Sequence, residues 1–356
     1  MRLRVLLATV LAPVLVVALA VTGGYWASGR TADTRASLTA ALDTLPAGTQ
    51  LAGFTDWSRI RQRLDVGSAR TKAARATLND DASLRDLTTR SVIGRSIEEM
   101  HDSFGWSAAD VDWEAYGQAA GGSVMVAHLD RSVSLATVRA GLRKLGYVHQ
   151  GRLWNVSTDA TVSNDLRDVF GAVAILPRQR LVVASARPAY VSTVLRVIDH
   201  HDPSLLRSRR AADVASSLVG SDTALLERGV VACQATSLED ASADVKAQGR
   251  AAVERAGHLA AVEYAGRGLI DRSARHASLR FAMAFDSPGQ AAEQLGVRSK
   301  LVTGPFIGRE GRVEDSLTLV GSDTHDGTVT MRFDHPPGTV DYMTGDGPLL
   351  FAGCGS

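Results

Sequence analysis

The sequence predicts an α+β protein: an N-terminal transmembrane helix followed by two related domains, each a mostly antiparallel sheet with helices packed on one face. Three observations support this prediction. A continuous apolar run stands near the amino terminus, short β-branched runs alternate with amphipathic helical patterns in the rest of the chain, and that alternation occurs twice. A hydrophobic content of 45% with 22% charged residues is ordinary for a packed globular chain.

The apolar run predicts where the protein lies in the cell. Val5–Trp26 contains no charged residue. As a helix it would be roughly 33 Å long, enough to cross the hydrocarbon core of a bilayer. Arg2 and Arg4 precede it, so the positive-inside rule places the amino end in the cytoplasm. The rest of the chain is then extracytoplasmic, and the protein is a single-pass protein of the cell membrane.

A cleaved secretory signal is the alternative for this segment. Two basic residues, a short apolar run and Ala18-Leu19-Ala20 fit the three parts of such a signal. The uncleaved anchor is favoured because the apolar run continues to Val21, and Tyr25 and Trp26, residues typical of the membrane interface, follow it. Cleavage would give a secreted protein instead.

The predicted organisation has four parts. They are a cytoplasmic stub and transmembrane anchor at 1–28, a tether at 29–44, a first α+β domain at 45–206 and a second at 207–356. The predicted element order is β-α-β-β-β-α in the first domain from Ser123 onward and β-α-β-β-α-β-β-β in the second. The two orders resemble each other at an offset of roughly a hundred residues, which indicates an internal repeat.

Hydrophobic periodicity and turn residues place the elements of the first domain. Asp56 opens a turn or a short helix through Leu64, and Pro188 starts a helix that carries Val191, Val194 and Leu195. Further helices are expected at Asp81–His101 and Ser134–Leu145. The expected strands are Thr49–Thr55, Ser123–Leu129, Tyr147–Val156, and a hairpin of Ala172–Leu176 with Leu181–Ser185.

The same rules place the elements of the second domain. Asp326-Gly327 is a strong turn signal between two strands. Helices are expected at Glu239–Ala256 and from Pro288 to Val302. The expected strands are Gly229–Ala235, Ala260–Gly266, Ala277–Phe285, Ser316–Val320, Thr328–Phe333 and Leu349–Ala352.

Two cysteines, Cys233 and Cys354, are present in the chain. In an oxidising compartment an even pair favours a disulfide, which would join the last strand to the middle of the second domain. Buried free thiols are the alternative. A metal site is not expected, because the cysteines are far apart in sequence and have no histidine pair nearby.

No sequence motif commits the chain to a reaction. The phosphate-binding loop, the dinucleotide fingerprint and the serine-hydrolase elbow are all missing. We therefore predict no catalytic, cofactor-binding or metal-binding residue, and no cofactor. The formal net charge is +1, which gives no reason to expect a nucleic-acid partner.

Several polar groups are candidate sites, and for each a structural role is the favoured interpretation. A solvated helix face, rather than a phosphate site, is the favoured interpretation of Arg59, Arg61 and Arg63. A solvated interdomain segment is the favoured interpretation of the run Arg207-Ser208-Arg209-Arg210. His200-His201-Asp202 indicates an exposed loop, and the group Asp323, His325 and Asp326 indicates a turn. The aromatic cluster is expected in the core rather than on a sugar or partner; its members are Trp106, Val111, Trp113 and Tyr116.

Three segments carry a resemblance to a known group. They are GFTDWSRIR at Gly53–Arg61, GWSAADVDWE at Gly105–Glu114 and FAGC at Phe351–Cys354. The chain after the anchor resembles uncharacterised membrane-anchored envelope proteins of actinobacteria. This resemblance implies a cell-envelope location and brings no catalytic residues.

The sequence therefore favours a non-catalytic envelope protein whose outer domains bind another envelope protein or a wall component. Two alternatives stay open. One is a carrier or sensor with an apolar ligand cavity between sheet and helices. The other is a hydrolase, which requires a cleft where serine, histidine and carboxylate side chains converge.

Overall fold

The structure is a computed structural model that describes residues 37–336, 342–343 and 348–354. The predicted anchor at 1–28 and the first half of the predicted tether, 29–36, lie outside the described residues. Within the ranges that are described, no helix combines the length and the apolar character needed to cross a bilayer.

The described chain is α+β, with a large antiparallel sheet, as predicted. The strands are β1 (Leu51–Thr55), β2 (Val111–Ala119), β3 (Gly122–Leu129), β4 (Tyr147–Gln150), β5 (Leu153–Val156), β6 (Ala172–Leu176), β7 (Leu181–Ser185), β8 (Thr223–Arg228), β9 (Tyr264–Ser273), β10 (His276–Ala284), β11 (Thr318–His325) and β12 (Thr328–His335). The helices are α1 (37–43), α2 (Trp57–Arg63), α3 (Lys72–Leu84), α4 (Ile97–Phe104), α5 (Leu135–Lys144), α6 (Asn164–Phe170), α7 (Pro188–Ile198), α8 (Arg209–Leu218), α9 (Val230–Gln234), α10 (Ala243–Ala256), α11 (Pro288–Ser299) and α12 (Val313–Ser316).

The described strands form one sheet, in the order β11-β12-β10-β9-β8-β1-β2-β3-β7-β6-β5-β4. Strands β1 and β8 pair antiparallel at its centre, with Gly53 opposite Leu225. Outward from β8 the sheet continues with β9, β10, β12 and β11, and outward from β1 it continues with β2, β3, β7 and β6. Each half thus adds two consecutive strands and then a later hairpin in reverse order. The half that begins with β1 continues further with β5 and β4. The offset between the halves is larger than the predicted hundred residues, because β1 begins at Leu51 and β8 at Thr223. The division into two domains at residue 206 stays a prediction.

Helices cover both faces of the sheet, so the prediction of helices on one face is wrong. One core contains residues of α2 to α6, α10 and α11; the other contains residues of α1, α7 and α8. The reason is visible in the strands. Ala172–Leu176 is buried at four of its five positions and Leu181–Ser185 at all five, as expected for strands covered on both sides.

Local signals placed several elements correctly. The side chain of Asp56 caps α2 by accepting a hydrogen bond from the Arg59 N–H, and Pro188 stands in the first turn of α7. The β6–β7 hairpin has the predicted bounds. These features depend on residues close in sequence, which is why the pattern alone identified them.

Other predictions for the first half are wrong. The region Asp81–His101 is divided between the end of α3 and α4, with a 3-10 helix between them. Tyr147–Val156 is a hairpin because Gly151 turns the chain with a φ of 60°. Strand β2 was missed, because its sequence VDWEAYGQA mixes charged and small residues with apolar ones.

In the second half, two predicted strands are helical. Gly229–Ala235 contains α9, and Leu349–Ala352 contains a 3-10 helix at Leu350–Ala352, so the disulfide does not join a last strand. Apolar runs this short do not distinguish helix from strand. Helix α8 and strand β8 were also missed. Ser208, assigned to a solvated segment, is the N-cap of α8, and its hydroxyl accepts a hydrogen bond from Ala211 N–H.

The predicted disulfide is confirmed. Cys233 in α9 and Cys354 near the carboxyl end are bonded, with 5.2 Å between their Cα atoms. Arg298 of α11 holds the same segment. Its guanidinium is fully buried and donates to the carbonyls of Phe351 and Gly353 at 2.7 and 2.9 Å. The carboxyl-terminal segment is therefore attached to the domain both covalently and by buried hydrogen bonds.

Candidate functional site

A cleft of about 1000 Å³ opens at one end of the sheet. Strand β1 ends there, β2 and β7 begin there and β3 ends there. Helices α1 and α2 and the last turn of α7 form the walls. The lining residues are Ser37, Ala40, Asp43, Thr44, Asp56, Ser58, Arg59, Gln62, Arg63, Asp112, Trp113, His128, Gln179, Leu181, Val197, Ile198 and His200. The cleft thus combines charged groups with an apolar wall.

An aspartate–histidine pair lies in the cleft. His128 Nδ1 is 2.9 Å from Asp112 Oδ2, and its ring stacks on Trp113 with 5.4 Å between centroids and 16° between planes. The register of β2 and β3 shifts between Val111 and Trp113. Such a bulge breaks the alternation of side chains along a strand, which allows Asp112 and Trp113 to approach the same histidine.

Two arginines of α2 share one buried aspartate. Arg59 Nε lies 2.9 Å from Asp222 Oδ1, and Arg63 Nε lies 3.5 Å from Asp222 Oδ2. Asp222 is completely buried at the start of β8. Its Oδ2 also accepts a hydrogen bond of 2.7 Å from the Asp271 N–H. Asp222 therefore fixes the helix of one sheet half to a strand of the other.

Burial raises the pKa of both neighbouring carboxyls. The pKa of Asp56 is raised from 3.8 to about 7, mainly because the side chain is removed from water, while the N–H and the charge of Arg59 act in the opposite direction. Burial also raises the pKa of Asp222, against the charges of Arg59 and Arg63. Asp56 is consequently a group of the cleft that can gain or lose a proton near neutral pH.

Beneath the cleft, Glu114 of β2 orients α2 and the chain that leads to α4. It is completely buried and accepts hydrogen bonds from Trp57 Nε1 at 3.1 Å and Val92 N at 2.7 Å, as well as from the Ser91 hydroxyl. Burial raises the pKa of this carboxyl. Glu114 therefore belongs to the support of the site, and it has no exposed surface for a ligand.

The arginines assigned to a solvated helix face are not solvated alike. Arg61 is 8% exposed, and its Nη1 donates to the carbonyls of Ala108 and Val111 at 3.1 and 2.7 Å. The alternation of arginines along α2 sends Arg61 inward, while Arg59 and Arg63 face the cleft. The prediction of a solvated face is therefore wrong for Arg61.

The histidine and aspartate candidates do not form a metal site in the described part of the chain, where no group of three or more potential ligands is found. His200 lines the cleft, whereas Asp202 forms an exposed ion pair with Arg196 at 2.8 Å. Asp326 follows β11 and bonds Arg209 at 3.1 Å. A second exposed pair joins Asp323 to Arg332 at 2.8 Å.

The prediction that the aromatic cluster packs in the core holds for Trp106 and Val111, which are buried. Trp113 is 7% exposed and lines the cleft, and Tyr116 is half-buried. The sequence pattern does not indicate the roles of Asp56, Asp112, His128 and Asp222 in the cleft. One signal was available. Asp56 as a helix cap, followed by arginines four positions apart, puts a carboxyl and two guanidinium groups along one side of a short helix.

Comparisons with known proteins give a limited result. No protein-family model and no curated protein matches the chain. Solved structures of the protein TP0453 are similar in part: crystal form III has a TM-score of 0.41 and 8% identity over 85% of this chain and 96% of that one. Crystal form IV has the same TM-score and identity over 87% and 100% of the two chains. A likeness at this level carries no argument about function.

Proposed function

We propose that this chain is a single-pass, membrane-anchored extracytoplasmic binding protein without catalytic activity, and that the cleft is its ligand site. The cleft is the observation that carries the proposal. Ligand sites are concave and combine an apolar wall with a few converging polar groups. Here Trp113, Leu181 and Ile198 supply the wall, and Arg59 and Arg63 stand among the polar groups.

The membrane location rests on the sequence of Val5–Trp26 and on the resemblance to actinobacterial envelope proteins. The bond between Cys233 and Cys354 supports an extracytoplasmic location, because disulfides persist in oxidising compartments. Intact mass of the natively expressed protein tests the anchor. The full-length mass is expected, and a mass that begins near Val21 would replace the anchor by a cleaved signal.

The partner that best fits the cleft is a wall component or another small envelope molecule. The alternative of an apolar carrier has less support, because the two cores between sheet and helices are filled by large buried side chains such as Phe54 and Phe104. The cleft, in contrast, is rimmed by charged groups. We therefore expect a ligand with polar or charged groups.

Native mass spectrometry of the full-length protein, extracted from its own membrane in mild detergent, tests the ligand site. Ala40 is exposed on α1 and lines the cleft, so Ala40→Trp fills the cleft from a helical position that tolerates a larger side chain. Ala73→Trp, exposed on α3 away from the cleft, is the matched control.

The expected result is a copurified molecule on the wild-type and Ala73→Trp proteins that the Ala40→Trp protein lacks. If all three proteins carry the same molecule, the cleft is not the site. The proposal fails if none of the three proteins carries a molecule and none binds a component of a cell-envelope extract that is added to it.

A hydrolase remains the second candidate, because Asp112 and His128 form the carboxylate–imidazole half of a catalytic triad within a cleft. In the described part of the chain no serine hydroxyl is among the hydrogen-bonding partners of His128. Release of nitrophenol from 4-nitrophenyl esters tests this role. If the wild-type protein hydrolyses the ester and the equally stable His128→Gln variant does not, a catalytic proposal would replace the binding proposal.

A further inference from the structure

Two arginines of the cleft have Nη groups that donate no hydrogen bond within the described part of the protein. Arg59 and Arg63 are one helical turn apart on α2 and therefore lie on the same helix face. Each contacts Asp222 through Nε, and neither donates a hydrogen bond through its terminal Nη groups within the described residues. Their side chains are 19% and 33% exposed. The Nη groups are thus available to a ligand in the cleft.

Both guanidinium groups are paired with the buried Asp222 carboxylate before any ligand arrives. Asp222 is itself held by the Asp271 N–H on its side chain and by the Asp56 N–H on its carbonyl, at 2.7 and 2.8 Å. The contacts of Arg59 and Arg63 with Asp222 are ion pairs, since Asp222 Oδ1 accepts no hydrogen bond within the described residues. A guanidinium group in such a pair keeps its Nη groups as a planar fork that matches two oxygens of an anion. Little conformational entropy remains to be lost when the anion binds.

The local charge selects a singly charged anion. Two guanidinium groups lie against the one Asp222 carboxyl, whose pKa is raised by burial, so the excess is at least one positive charge. Asp43 and Asp112 are further carboxyl groups of the lining, and they disfavour an anion of higher charge. Burial raises the pKa of Asp56 to about 7, which reduces its negative charge at neutral pH.

We propose that the ligand of the cleft is a phosphodiester, whose two charged oxygens bind Arg59 and Arg63 and whose organic substituents lie along Trp113, Leu181 and Ile198. This inference rests on the proposed function of the cleft as a ligand site. A phosphodiester carries one negative charge, has two free oxygens for two guanidinium forks, and extends organic groups in two directions. A lipid headgroup and a soluble glycerophosphodiester share this chemistry.

Isothermal titration of the full-length protein in neutral detergent distinguishes the two sources. The probes are glycerophosphoglycerol and dihexanoyl phosphatidylglycerol below its micelle concentration, with glycerol and sodium hexanoate as comparisons. We expect saturable binding of at least one phosphodiester. At least tenfold tighter binding of the dihexanoyl lipid identifies a lipid source, and the reverse identifies a soluble one.

Single substitutions test the role of the arginines. Arg63→Gln is expected to weaken binding about tenfold to a hundredfold, the usual range for a hydrogen bond to a charged group. Arg63→Lys keeps the charge but loses the fork, so an intermediate loss is expected. Arg250→Gln, exposed on α10, removes the same charge elsewhere and should leave binding within twofold of wild type.

A urea unfolding midpoint for each variant shows whether it is folded. If Arg59→Gln is folded by this measure, its binding affinity is a further test of the proposal. Three results would each overturn the phosphodiester proposal. They are unchanged binding by the folded Arg63→Gln variant, hexanoate binding as tight as that of the dihexanoyl lipid, and no binding of either phosphodiester. If a copurified ligand is excluded by Ala40→Trp but contains no phosphorus, this inference fails while the ligand site stands.

Discussion

The protonation of Asp56 offers a quantitative test of how the sheet end is built. Its side chain is 4% exposed, and its pKa in the folded protein is raised to about 7 from 3.8, mainly by burial. The folded protein therefore binds this proton more tightly than the unfolded chain does. The stability that Asp56 contributes is fully present below pH 3.8 and is lost as the pH rises toward 7.

Asp56→Asn removes the titration and keeps an oxygen to cap the N–H of Arg59, since asparagine and aspartate cap helices about equally well. One pKa unit corresponds to about 1.4 kcal/mol. We therefore expect Asp56→Asn to match wild type near pH 4 and to exceed its unfolding free energy by up to about 4 kcal/mol at pH 8.

Urea unfolding followed by tryptophan fluorescence between pH 4 and pH 8 measures this difference. Asp244→Asn, in the first turn of α10 and exposed, is the control, with a change within about 0.5 kcal/mol at every pH. Asp56→Ala should lose about 1 kcal/mol of capping at every pH relative to the asparagine variant. A difference between Asp56→Asn and wild type that is constant with pH would refute a buried, protonated Asp56.

Three further predictions concern the support of the fold. Cys354→Ser should lower the unfolding free energy by about 5 kcal/mol in the chain-entropy model, and dithiothreitol should then have no additional effect on the urea midpoint. Arg298→Met leaves three buried carbonyls without their donor and should cost about 3 kcal/mol by urea unfolding; a loss under 1 kcal/mol would contradict this. Glu114→Gln replaces one acceptor oxygen by an amide that faces N–H donors. It should cost about 2 kcal/mol, with a shift in fluorescence from Trp57, and an unchanged midpoint would argue against Glu114 as the support of α2.

The elements that the sequence predicted well are those that depend on nearby residues. The β6–β7 hairpin follows from two apolar runs around a polar turn, and α7 from a proline before periodic valines and leucines. Strand β2 was missed because its residues make sense only in their tertiary setting. A buried glutamate is unusual in a strand. Glu114 is accommodated there because Trp57, Ser91 and Val92 donate hydrogen bonds to its carboxyl group.

The candidate site was harder to predict for the same reason. Asp112 and His128 are brought together by the pairing of β2 with β3 and by a bulge. Arg59 and Asp222 come from the two halves of the sheet. No pattern in either segment indicates the other, because the pairing of β1 with β8 is what places them side by side.

The sequence by itself determined the fold class and the cysteine pair, because hydrophobic periodicity, turn chemistry and an even cysteine count act locally or through composition. The tertiary structure decided that strands of both halves form one sheet with helices on both faces. It also decided that Asp222 is buried between two arginines and that a charged cleft opens where four strands end. Those outcomes depend on strand pairing and on the desolvation of charges, which exist only once distant segments meet.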